Sequence, residues 1–205
     1  MRVELHLHTS RYSECAIVNP MQVLRCCYET GYDVVCITEH DAVWSEFELN
    51  EMREAYPRLL IFPGVELSLG PEGRQHLLVL GTNDPAYLGI EDGQEVIARA
   101  QKAGHLTILA HPFRWPGGHD LLDADLLPDA IEHLPPNQQG DSAVLAGVAA
   151  QGLGLPAVNS GDVHSLQMVG RTWIDTHEIV ESFGDLRRAI IEGAFENGSD
   201  ANATP

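Results

Sequence analysis

The sequence predicts a single-domain α/β barrel, on three observations. Strand-like runs alternate with amphipathic helical stretches from end to end, the pattern of a parallel α/β fold. About seven such units follow one another without a linker or internal repeat, which favours a barrel over an open sheet. Histidines and carboxylates stand at the carboxyl ends of the strand-like runs, and in a parallel barrel those ends share one face. At 205 residues and 44% hydrophobic content the chain can build one sizeable core. The barrel is placed at residues 1–195, and the polar stretch 196–205 is expected to be a disordered tail.

The first element is Glu4-Leu5-His6-Leu7-His8, a strand with Val3, Leu5 and Leu7 toward the core and His6 and His8 on the other face. Two imidazoles at that spacing can serve one metal, although such a pair alone more often marks two hydrogen-bonded histidines. Asn19-Pro20 reads as an N-cap with Pro at the first helical position; Met21, Leu24 and Tyr28 share the inward face and Gly31 stops the helix. Val34-Val35-Cys36-Ile37-Thr38 is a strand buried on both faces, ending in Glu39, His40 and Asp41.

A capping box at Ser45 and Glu48 opens a helix with Leu49, Met52 and Tyr56 inward, closed by Pro57. Leu59 to Phe62 is the third strand and leads through Pro63-Gly64 into Val65-Glu66-Leu67. After a turn at 70–73, Gln75 to Leu80 returns as the second arm of a hairpin carrying Glu66 and His76. Residues 92–103 form a helix capped by Asp92, with Val96, Ala100 and Ala103 inward and Gly104 past its end. Leu106 to Ala110 is a strand delivering His111-Pro112, and 113–128 is irregular. Residues 130–132 form a short strand, 142–151 a small-residue helix, 156–159 a strand running into Asp162 and His164, 172–174 a last strand and 182–192 a last helix.

Composition narrows the function. Twelve basic against 30 acidic residues give a net charge of −18, which argues against extended nucleic-acid binding and against anionic membranes. No apolar run is long enough to span a bilayer. Four cysteines without a Cys-x-x-Cys pair predict a reducing, cytoplasmic setting with idle thiols. His8, His40, Glu66, His111, Asp162 and His164 each fall at a strand end. Five independent strand ends carrying ligand types make coincidence a poor account. Mixed imidazole and carboxylate sets suit zinc, manganese or iron, and a carboxylate such as Glu66 can bridge two ions.

His6-x-His8, Thr38-Glu39-His40, Gly64-Val65-Glu66, Ala110-His111-Pro112 and Gly161-Asp162-Val163-His164 together resemble the ordered motifs of the PHP (polymerase and histidinol phosphatase) family, collinear from residue 4 to about 175. The resemblance implies a distorted (β/α)7 TIM-like barrel and a metal-dependent phosphoesterase that hydrolyses a phosphate ester with a metal-activated hydroxide. It implies two or three divalent transition metals, zinc, manganese or iron. His6, His8, Glu66 and Asp162 would hold one; Glu66, His76 and His111 a second; Glu14, His40 and His164 a third. Glu14 stands where some members have His or Asp, and His76 depends on the hairpin register. Glu39 replaces the family's Asp in the Thr-Asp-His motif, and Gly161 its Ser in Ser-Asp-x-His.

Arg114 is the first candidate phosphate clamp, because guanidinium pairs bidentately with phosphate oxygens; Arg11 is the second. Glu132, although at a strand end, is read as structural. The expected partner is a small phosphorylated substrate, with a nucleotide or a short oligonucleotide end still able to reach the metals. Two rivals remain: an amidohydrolase-type metal-dependent hydrolase, whose bridging carboxylated lysine would have to be the single lysine, Lys102, in a helix, and a metal-stabilised, non-catalytic interaction module.

Overall fold

The computed structural model describes residues 1–136 and 141–200. Nine strands form one sheet in the order β7-β6-β5-β4-β3-β2-β1-β8-β9. They are β1 (Arg2–Glu4), β2 (Val34–His40), β3 (Leu60–Leu69), β4 (Gln75–Leu80), β5 (Leu106–Ala110), β6 (Ala130–Glu132), β7 (Ala157–Val158), β8 (Thr172–Thr176) and β9 (Phe195–Ser199). The helices are α1 (Pro20–Thr30), α2 (Glu46–Ala55), α3 (Gly93–Ala103), α4 (Ser142–Leu153) and α5 (Phe183–Ile191).

The sheet curls until its ends nearly meet. Beyond β1 and β7 the chain pairs again as a parallel bridge, Leu7 with Val163, in which His8 N–H donates to the Val163 carbonyl at 2.9 Å and Val163 N–H to the His6 carbonyl at 3.0 Å. At the other end β8 lies antiparallel on β1, and β9 lies antiparallel on β8, so the barrel is splayed there. The α/β barrel expectation holds, with two departures from pure parallel pairing. The hairpin arm β4 runs antiparallel to both neighbours, and β8 and β9 are additions. Strand β9 also corrects the tail: residues 196–199 are paired, because Trp173, Ile174 and Asp175 offer them a sheet edge, while 201–205 lie outside the described residues.

Period-2 patterning divides the core into layers. Val34, Cys36, Leu78, Leu80, Leu106 and Ile108 fill the barrel interior, floored by Leu186 and Ile190 of α5. Val35 and Ile37 face outward onto Leu24 of α1 and Leu49 and Met52 of α2, and Val79 and Leu109 face Val96, Ile97 and Ala100 of α3. Each fully buried aliphatic side chain contributes about 1.5–3 kcal/mol of transfer free energy. On β2 the inward positions continue past Cys36 to Thr38 and His40, so the same alternation that fills the barrel floor delivers polar groups to its mouth.

Three face assignments differ from the sequence reading. Val3 and Leu5 belong to the barrel interior but Leu7 packs under α1 and α2. The alternation shifts phase between Leu5 and His6, where the Glu4 carboxylate accepts the His6 N–H at 3.0 Å. In α1 the inward residues are Val23, Leu24 and Cys27, and Met21 is exposed. In α3 Ile97 is inward and Ala103 is exposed. The caps behave as read: Asn19 Oδ1 accepts the Met21 N–H, Ser45 and Glu48 close their box, and Gly31 and Gly104 end their helices in the left-handed region.

Candidate metal centre

Each motif residue reaches the barrel mouth by its strand. The extension of β1 carries His6 and His8, β2 ends on His40, and β3 places Glu66 opposite His40. The hairpin register sets His76 across from Ser68 and from Ala110, the residue before His111. His76 therefore faces inward with Leu78 and Leu80, as its assigned role requires. His111 (φ 28°) and Asp162 (φ 40°) sit in the left-handed region, where a non-glycine residue costs about 1–3 kcal/mol and persists only when surroundings hold it. The holders are visible: His111 N–H donates to Glu132 Oε2 at 2.7 Å, and Gly161 N–H donates to Glu4 Oε1 at 2.7 Å. Gly161 must lack a side chain, because a Cβ there would fall within contact distance of the Glu4 carboxylate.

Glu66 is the hub. Its Oε1 lies 2.8 Å from His76 Nδ1 and 3.1 Å from His111 Nε2; its Oε2 lies 3.2, 3.1 and 3.0 Å from His6 Nε2, His8 Nε2 and His40 Nδ1. Asp162 Oδ1 is 3.4 Å from both His6 Nε2 and His8 Nε2, and its Oδ2 is 2.8 Å from Arg114 Nη2. His6, His8, Glu66 and Asp162 are buried, whereas His40, His76 and His164 line a cavity of about 320 Å³ opening to solvent. Atoms close enough to share an ion fall into overlapping groups: His6, His8 and Glu66; His40, Glu66 and His76; His8, His40 and His164; and His6, His111 and Glu132, in which Glu132 meets His6 through Nδ1, the nitrogen turned away from Glu66.

Outer partners fix which nitrogens carry lone pairs. His6 Nδ1 is 2.8 Å from Glu132 Oε1, a pure acceptor when ionised, so in the neutral ring its proton sits there and Nε2 is bare. Ser13 Oγ gives its only hydrogen to Glu39 at 2.6 Å and so accepts from His8 Nδ1 at 3.3 Å, which bares His8 Nε2. The Gly73 carbonyl accepts from His76 Nε2 at 3.1 Å, and the Asp162 carbonyl accepts from His164 Nδ1 at 2.8 Å. The bare nitrogens of His6 and His8 lie 2.9 Å apart beside a Glu66 Oε2 that is buried with no hydrogen bond. Lone pairs converging on carboxylate oxygens repel unless a cation lies between them. The donor set thus fits divalent transition metals, and Glu66 fits a bridge.

Charges shift accordingly. Burial pushes Glu66 up, but the imidazoles of His6, His111 and His40 outweigh it and hold the carboxyl well below its usual range. Asp162 is likewise held far down by His6, His8 and Arg114 against its burial. Burial pulls His6 and His8 down, yet the carboxylates Glu66 and Asp162 raise both. Without metal, the carboxylates therefore favour protons on these two rings. Metal loading should be accompanied by proton release and weaken as pH falls, because a raised imidazole pKa means that the proton competes more strongly for the same nitrogen. Calorimetric titration in buffers of different ionisation enthalpy measures the release; a proton count of zero would contradict it.

Two sequence assignments do not reach the centre. Glu14 is exposed and does not line the cavity of the centre, whereas Cys15, beside it on the turn after β1, does. Arg11 pairs with Glu48 at 3.1 Å on the surface, beside a separate cavity lined by Trp44, Phe47 and Met21. Arg114 does line the centre's cavity. Lys102 stands in the last turn of α3, exposed, and does not line the cavity of the centre, whose candidate for a bridging carboxylate is Glu66. Glu132, read from the sequence as structural, has a carboxylate that takes His6 Nδ1, the His111 N–H and the Ser160 hydroxyl and so holds two of the candidate ligands in place. Sequence reasoning did not find the support given by Glu39, which accepts from Thr9, Ser13 and Trp44. The signal for Glu132 was its position at the end of a strand. Trp115 lines the mouth, its ring 5.2 Å from His76 and 5.3 Å from His111.

Residues 144–195 match the PHP-associated family. An uncharacterized protein of Methanocaldococcus jannaschii is 25% identical over 126 residues, covering 55% of this chain and 68% of that one. A two-domain protein of Bacteroides vulgatus, described as containing a predicted PHP-like metal-dependent phosphoesterase, superposes with a TM-score of 0.73 at 18% identity over 97% of this chain and 64% of its own. The lesion-specific endonuclease of Pyrococcus furiosus superposes with a TM-score of 0.66 at 17% identity over 96% and 57%. This chain spans less than two thirds of either of those two structures. The segment match includes the Gly161-Asp162-Val163-His164 motif, and the superpositions agree with the barrel fold that the motif resemblance implies.

Proposed function

We propose, from the PHP assignment and the geometry around Glu66, that this chain is a metal-dependent phosphoesterase acting on a small phosphate ester. The observation that carries the reading is Glu66 itself, a buried carboxylate with imidazole nitrogens within 3.2 Å of each oxygen. Divalent cations held there would supply water that ionises near pH 7 and would neutralise charge on phosphoryl oxygens. The chain's own part is orientation. Glu132 and Ser13 fix the rings of His6 and His8, and Asp162 completes the acidic side of the pocket. Trp115 narrows the entrance over His76 and His111.

Substrate size follows from the cavity. About 320 Å³ is at the lower end for ligand pockets, and 12 basic residues in a field of 30 acids leave little to track a nucleic-acid backbone. Arg114, anchored on Asp162 and partly exposed in the cavity wall, is the group placed to meet a phosphoryl oxygen. Arg114→Ala should weaken transition-state binding of a small phosphomonoester by about 1.5–3 kcal/mol, the range for hydrogen bonds to charged groups, with metal content unchanged. Steady-state kinetics with elemental analysis checks this; if metal is lost in parallel, Arg114 supports Asp162 rather than touching substrate.

The defining assay is a panel of phosphomonoesters, mononucleotides and oligonucleotides on metal-loaded and chelator-stripped protein. Hydrolysis of small esters, dependent on metal and shallow in salt, is the expected result. Turnover confined to oligonucleotides and rising with their length would overturn the small-ester reading, and no turnover of any phosphate ester would overturn the activity.

A further inference from the structure

We propose that Cys15 is a thiolate ligand to the cation held by His8, His40 and His164, in the place the sequence assigns to Glu14; this rests on the metal-centre reading above. The turn carrying Cys15 is tied to all three histidines. Before it, the buried Ser13 hydroxyl accepts from His8 Nδ1 at 3.3 Å and from the His40 N–H at 3.1 Å. After it, the Ile17 N–H donates to the His164 carbonyl at 3.0 Å. The Ala16 N–H closes the turn on the Ser13 carbonyl at 3.0 Å, and Ser13 and Ala16 are both buried. Cys15, between them, is exposed and shares the cavity wall with His40 and His164.

A second observation points to a cation at the same trio. Glu66 Oε2 is wholly buried, makes no hydrogen bond, and is aimed at His8 Nε2 (3.1 Å) and His40 Nδ1 (3.0 Å). The three imidazoles bring no charge of their own, and Glu66, facing imidazoles through both oxygens, shares its single charge with the neighbouring groups, so an anionic donor on the solvent side would complete the charge balance of this position. A thiolate there supplies that charge, its proton passing to solvent as the sulfur–metal bond forms, and biases the position toward soft-accepting ions such as zinc over manganese or magnesium. Cys26 and Cys27 lie on α1 and Cys36 in β2, and none lines the cavity, so a thiolate signal can be assigned.

The test uses the full chain loaded with cobalt(II). The wild type should show thiolate-to-cobalt charge-transfer absorption in the near ultraviolet. Cys15→Ser should lose it and hold less cobalt per chain, Cys15→Asp should recover the cobalt without the band, and Glu14→Gln should change neither. A cobalt-loaded wild type without the band, or a band that survives in Cys15→Ser, overturns the role of Cys15 and leaves the metal centre standing. Failure of the wild type to bind cobalt at all overturns both.

Discussion

Glu66→Gln is expected to empty the centre of cations and to lower turnover of phosphate esters by more than about a hundredfold, beyond the 10–100-fold that loss of a ligand's outer partner costs. The amide removes one negative charge from a place where each oxygen faces at least two imidazole nitrogens. Either rotamer also turns an NH2 group toward nitrogens whose lone pairs are meant for a cation. Metals that the carboxylate would hold together then repel with less compensation. His164→Ala removes a ligand from a single position at the cavity edge and should cost less of both metal and activity. Elemental analysis and kcat/KM on the two variants decide it; a Glu66→Gln protein with full occupancy and turnover would mean that no cation is bridged there.

Glu132→Gln should reduce metal affinity about 10–100-fold without any ligand having been touched. Glu132 accepts from His6 Nδ1 at 2.8 Å through one oxygen and from the His111 N–H at 2.7 Å through the other. A glutamine has only one acceptor oxygen. Either the His6 ring loses the partner that bares its inner nitrogen, or an NH2 group confronts the backbone N–H that holds His111 at its positive φ. Competition against a chelator of known affinity measures the loss. Unchanged affinity would reduce Glu132 to a space-filling residue.

The sequence pattern exposed the centre because strand ends are legible. Runs such as Val34–Thr38 and Leu106–Ala110 declare themselves by β-branched and apolar content, and His40 and His111 simply follow them. The register of β4 was not readable, because Leu77 to Leu80 is apolar at every position; the pairing of His76 with Ser68 and Ala110 puts it on the interior face with Leu78 and Leu80. What failed lies where hydrogen bonds outrank pattern. No periodicity tells which of Glu14 and Cys15 faces inward on a turn pinned by Ser13, Ala16 and Ile17 backbone contacts. The phase shift after Leu5 depends on Glu4 bonding a backbone two residues on. Strand β9, with Glu196-Asn197-Gly198-Ser199, carries a polar sequence that only the open edge of β8 turns into a strand.

The bridge between Leu7 and Val163 sets when the centre can come into being during synthesis. Asp162, His164 and the backbone that fastens their segment leave the ribosome more than 150 positions after His6 and His8. At about 5–20 residues per second, that interval is roughly 8–30 seconds. Pairings so distant along the chain bear the largest loop-closure cost and form late. A cation held between these two segments would therefore be captured late, once the barrel has closed, and until then the nascent chain would meet the cell's metal pool with His6 and His8 unescorted.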